Sequence, residues 1–97
     1  MNIPDEALKA LLRAALDTRG RLTRQRALYL TLREAILSGR LKADSLLPGS
    51  RVLAKALTVS RNTINATLEQ LTIEGFVARE RQGTRVLMLA SNAEEVQ

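Results

Sequence analysis

The chain has 97 residues, enough for one domain with a modest core but little surplus for a large ligand cavity. It contains no cysteine and no histidine, which excludes disulfides, cysteine-based metal sites, the commonest general base and the commonest transition-metal ligand. The formal net charge is +5, and a basic balance of that size raises the question of a polyanionic partner.

In chain order, residues 4–17, "PDEALKALLRAALD", predict a helix. Pro4 suits its first turn, Asp5 and Glu6 suit the positive end of its dipole, and Leu8, Leu12, Ala15 and Leu16 share one face. Gly20 breaks the basic segment that follows. A second helix is expected from about Gln25 to Ser38, with Leu28, Leu32, Ala35 and Ile36 buried and Gly39 as its C′ glycine. The connector "RLKADSLLPG" is apolar enough at Leu46 and Leu47 for a short strand, which Pro48-Gly49 stops.

Ser50 is the expected cap of a short helix from Arg51 to about Leu57, with Leu53, Ala54 and Leu57 inward. "TVS" reads as a tight turn. Ser60 is the expected N-cap of a helix over 61–74, anchored by Ile64, Leu68 and Leu71 and ended by Gly75. The front of that helix is polar: Arg61, Asn62, Thr63 and Asn65 prefer caps and turns to helix interiors, so the pattern asks what they touch. "FVARER" and "TRVLML" then predict two strands around Gln82-Gly83, with Gly83 supplying the positive φ of a two-residue hairpin. The tail, residues 90–97, reads as flexible.

The predicted fold is mainly α with a small β-hairpin wing: a winged helix-turn-helix with an extra N-terminal helix. Its expected divisions are 1–24, an N-terminal helix and basic linker; 25–89, the winged helix-turn-helix; and 90–97, the tail. The charge distribution agrees with that architecture. Between Arg19 and Arg61 stand Arg19, Arg21, Arg24, Arg26, Arg33, Arg40, Lys42, Arg51, Lys55 and Arg61, against only Glu34 and Asp44. In such a fold the second helix enters the major groove of DNA with its first residues at the base edges. Arg61 has the fork for guanine O6 and N7, and Asn62 or Asn65 can pair with adenine. Ser60 can reach a phosphate besides holding the helix end, and Thr63 can bond a phosphate or touch a thymine methyl. In the hairpin, Arg79, Arg81 and Arg85 surround Gly83 and can flank a minor groove; the alternative is an ordinary charged hairpin paired with Glu80.

The segment "LYLTLREAILSGRLKADSLLPGSRVLAKALTVSRNTINATLEQLTIEGFVARERQGTRV" resembles the winged-helix DNA-binding domain of the GntR family of bacterial transcription regulators. The resemblance covers about residues 26–88 and includes "REAILSGRL", "VSRNT", the glutamate-glycine helix end and the wing "RQGT". "LYLTL" and "SRNT" are most similar to the MocR-type branch, whose members fuse this domain to an aminotransferase-like domain. The resemblance implies DNA contacts from Arg51 at the start of the second helix, from Arg61 as the main reader, and from Ser60, Asn62 and Thr63 beside it. It also implies a specificity position at Asn65 and a wing tip at Gln82 and Gly83 near the minor groove. This chain departs from the family pattern at Gly49, where relatives often carry a capping side chain, and at Asn65, often arginine in relatives.

The expected partner is double-stranded DNA, with a second copy of the chain as a candidate homodimer partner. No cofactor and no membrane contact are expected, and any effector is expected to bind outside this chain. Family members normally continue into an effector domain, so the chain is expected to be either part of a longer regulator or a small stand-alone one. Without a long apolar run or a signal-peptide layout, a cytoplasmic location is the default. An enzyme is not expected, since the sequence offers no histidine, no cysteine, no glycine-rich phosphate loop and no paired carboxylates in a plausible cleft. The competing reading of the fold is a winged-helix protein-interaction module that binds an acidic partner instead of DNA.

Overall fold

A computed structural model of the chain describes residues 5–87. The element order is α1 (Asp5–Thr18), α2 (Arg24–Leu37), β1 (Leu46–Leu47), α3 (Ser50–Leu57), α4 (Arg61–Ile73), β2 (Val77–Glu80) and β3 (Gly83–Val86). The expectations at Pro4, at Met88 and Leu89 and in the tail lie outside the described residues.

Each helix follows the apolar stripe in its sequence. α1 buries Leu8, Leu12 and Ala15, with Leu16 half-buried, and packs on α2 and α3. Arg13 ties it down further by donating a hydrogen bond to the carbonyl of Ala56 in α3. The N-terminal helix therefore shares the core of the helices that follow it. α2 starts one residue earlier than the pattern predicts because Thr23 caps it, accepting a bond from the Arg26 amide at 3.0 Å. It ends at Ser38, and Gly39 takes φ +86° as the C′ residue. α4 crosses α2 in the largest helix–helix contact, with Ile64, Leu68 and Leu71 buried and Leu71 fully out of solvent. At the far end of that contact the buried Tyr29 of α2 donates its hydroxyl to the Glu74 carboxylate, the residue that closes α4. That bond, more than burial of the ring, holds the Tyr29 phenol above its ordinary pKa, because it stabilises the protonated form.

The wing is larger than a hairpin. β1 pairs with β3 as well, giving an antiparallel sheet in the order β1-β3-β2. Leu47 lies opposite Thr84 and Thr84 opposite Arg79, while Val77 lies opposite Val86. Since alternate residues of a strand share a face, Leu47, Thr84, Val86, Val77 and Arg79 all lie on the face turned to the helices. Leu47, Val77, Thr84 and Val86 are buried there; Arg79 is exposed at the edge where the core ends.

The hairpin loop differs from expectation. Glu80 pairs with Gly83, so the two loop residues are Arg81 and Gln82, and Gly83 is the first residue of β3. Neither loop residue has positive φ, which excludes the type I′ turn; the positive φ, +148°, falls at Gly83 itself. A side chain there would also crowd the carbonyl of Leu47, with a Cβ 3.3 Å from its oxygen. Glycine at this position answers both the backbone angle and the close passage of β1.

Candidate nucleic-acid interface

α3, the turn and α4 form the helix-turn-helix. The turn is made at Thr58, which adopts the left-handed conformation (φ 57°, ψ 46°), and it is closed by the Val59 amide bonding to the Ala54 carbonyl at 3.1 Å. Ser60 caps α4 as predicted: its Oγ accepts from the Thr63 amide at 3.1 Å and lies 2.9 Å from the Thr63 hydroxyl. The cap is closed within the helix itself. Arg61 and Asn62 are exposed on its first turn, and their side chains have no hydrogen bond or ion pair among the described residues.

An open cleft of about 450 Å³ lies between the start of α3, the start of α4 and the wing. Arg51, Arg61, Arg79 and Arg81 line it, and so do Gln82 and Gly83. Glu80 is its one acid, and that carboxylate is already gripped by Arg85, whose Nε lies 3.0 and 3.1 Å from its two oxygens. The arginines therefore set the local charge, and a low-dielectric concave surface focuses their field. The described residues offer no group of three or more acidic side chains suited to a metal ion.

The structure brings together Arg51, Arg61, Gln82 and Gly83 from the sequence-derived set, all on this cleft. Ser60, Asn62 and Thr63 stand beside it on the first turn of α4. Asn65 is half-buried and bonded within the protein. Its Oδ1 accepts from Ser50 Oγ at 2.8 Å and from Arg79 Nη2 at 3.2 Å. Ser50 does not cap α3, contrary to expectation. The helix begins one residue sooner, with Gly49 in the cap position and no side-chain cap bond, so the Ser50 hydroxyl turns to Asn65 instead.

The wing arginines also divide. Arg85 pairs with Glu80 and bonds the Asp44 carbonyl at 3.0 Å, stitching the sheet together as the charged-hairpin alternative anticipates. Arg79 crosses to Ser50 and Asn65. Arg81, exposed at the loop, has no partner among the described residues. Reading the residues alone misses the Ser50–Asn65–Arg79 contact, although strand alternation carries its signal: Arg79 falls two residues after the inward Val77 and must share its face.

Residues 24–86 match the model of the gntR family of bacterial regulatory proteins. The chain is 43% identical over 79 residues to the probable rhizopine catabolism regulatory protein MocR of Rhizobium meliloti; the match covers 80% of this chain and 16% of that protein's length. Among solved structures it is similar to YtrA from Sulfolobus acidocaldarius, a GntR-family transcription factor. The TM-score is 0.63 at 29% identity, over 74% of this chain and 78% of the other. No helix of the described residues is long and apolar enough to cross a membrane. With the family match running through α2, the helix-turn-helix and the wing, the chain belongs to the gntR family of bacterial regulatory proteins and carries the DNA-binding domain of a transcription regulator.

Proposed function

We propose that the domain reads double-stranded DNA by sequence, with the first turn of α4 in the major groove and the wing loop at the adjoining minor groove. The observation that carries this reading is the state of Arg61 and Asn62. Both side chains are exposed and unpartnered among the described residues, on a helix end where Ser60 already caps the Thr63 amide. A guanidinium fork there matches the O6 and N7 of guanine, and a carboxamide matches the N6 and N7 of adenine. Ser60 and Thr63 approach phosphates beside them, Arg51 reaches the backbone from the start of α3, and Gln82 and Gly83 meet the minor groove. Asn65 belongs to the same face.

Two copies of the chain would read two half-sites about one helical turn apart, roughly 34–36 Å, as a palindrome or a direct repeat. The setting is the cytoplasm, and an effector, where one acts, binds outside this chain. The deciding experiment is selection of bound sequences from a random duplex pool, starting at low salt. An enriched half-site, with its spacing, is the expected result. A pool that stays random would overturn the reading and favour a module that docks on an acidic protein.

A further inference from the structure

Resting on that reading of α4 and the wing, we propose that Ser50 and Asn65 are a bracket that holds Arg79 as an anchor for one DNA phosphate, so that Asn65 acts through Arg79 and not on a base. The atoms carry the first half of this. Arginine has donors only, so the Asn65 atom facing it is the carboxamide oxygen. That oxygen has two acceptor sites, and both are taken, by Ser50 Oγ at 2.8 Å and Arg79 Nη2 at 3.2 Å. Reading adenine needs the oxygen to accept from N6 while the amide nitrogen donates to N7. With its oxygen engaged, Asn65 cannot complete that pair.

The bracket in turn leaves most of Arg79 free. Only Nη2 is engaged, by Asn65 and by Ser50 Oγ at 3.3 Å, so Nε and Nη1 keep their donors. The residue is exposed, and the sheet register turns it toward the helices. It therefore stands in the cleft between α3, α4 and the wing, with Arg51, Arg61 and Arg81 around it.

The topology of duplex DNA supplies the second half. A major groove and the next minor groove are separated by one sugar–phosphate strand. A helix in the first and a wing loop at the second must straddle that strand. The cleft between them is where its phosphates pass, and a planar guanidinium held at two points is the group suited to grip one.

The test uses the whole chain and two duplexes, one carrying the selected half-site and one of random sequence. Affinity is followed by fluorescence anisotropy at 50 and 200 mM salt. Losing one phosphate contact lowers the salt slope by about 0.9, so across this range wild type should lose affinity by a factor of about 3.5 more than Arg79→Gln. Both duplexes should weaken alike. Asn65→Ala and Ser50→Ala, which release the guanidinium without removing it, should each weaken both duplexes roughly two- to tenfold without changing base preference. Asn65→Ala should add nothing in the Arg79→Gln background.

An unchanged slope in Arg79→Gln overturns the proposal. So does an Asn65→Ala variant that shifts preference at one base pair and does so equally without Arg79. Thermal melts establish that each variant is folded; should Arg79→Gln not fold, the two bracket variants decide, and unchanged affinity in both overturns the proposal. Absence of salt-linked DNA binding by wild type would instead defeat the reading on which this one rests.

Discussion

The two halves of α4 face different surroundings. Its later turns put Leu68 and Leu71 into the core with essentially no exposure, whereas its first turn puts Arg61 and Asn62 into water. One helix therefore carries two separable properties. The apolar stripe anchors the fold, and on the function proposed above the polar turn sets what the folded domain recognises. Ser60 makes the separation work, because it closes the helix end internally and frees its neighbours from capping.

The sharpest way to break this comparison is from the core side. Leu71→Ala deletes an α4 side chain with 0% exposure in the hydrophobic core. It should cost about 2–5 kcal/mol of unfolding free energy, measured by urea titration. Base preference of the fraction still folded should not change. A shifted preference at normal stability would mean that the two halves are not separable.

Arg61→Ala is the converse. It should leave the melting temperature within error and lower discrimination at one base pair by about 1–3 kcal/mol, measured by competition with single-site variants. Equal weakening on every sequence would make Arg61 a phosphate contact instead of a reader.

Ser60→Ala tests the boundary between the halves and should have a smaller effect. Loss of the cap should cost about 1 kcal/mol of stability. It should weaken DNA binding by loosening the first turn, without moving the preferred base. A specific change at one base pair would show that the hydroxyl reads a base and does not only hold the helix end and a phosphate.

The helical half of this molecule is legible in the sequence and the contacts between elements are much less so. Leu28, Leu32, Ala35 and Ile36, or Ile64, Leu68 and Leu71, repeat at helical spacing, and all are buried. Ser60 caps because a serine before an apolar stripe has a local job to do. Ser50 sits in a similar local context yet serves a distant partner, and nothing in its neighbourhood says that Asn65, fifteen residues on, will accept its proton. The third strand depends in the same way on β1 meeting β3 across the chain. Thr58 is harder still, since a β-branched residue in the left-handed region, at the turn that joins α3 to α4, goes against local preference. The three wing arginines look alike in sequence, but strand register and neighbours give Arg79, Arg81 and Arg85 three different roles.

The closing end of α4 offers the mildest test, and one that pH can tune. Tyr29 donates to Glu74 there, and this bond is the main reason its phenol titrates above its usual value; burial and the Glu74 charge add to it, and Arg33 and Arg26 oppose it. A raised folded-state pKa means that the folded protein holds the phenolic proton more tightly than the unfolded chain does. The resulting stabilisation is complete below the unfolded pKa of about 10 and disappears as pH rises through the folded value. Tyr29→Phe keeps the buried ring, and with it the cation–π contact to Arg26, but removes the bond. It should cost about 1 kcal/mol near neutral pH. Melting temperatures of both proteins from pH 7 to 11.5 should show a gap that is constant to about pH 9 and then closes. A gap that persists through the alkaline range would show that the hydroxyl contributes by packing alone. The same variant should leave DNA binding at neutral pH unchanged, because the bond lies at the end of α4 remote from Arg61.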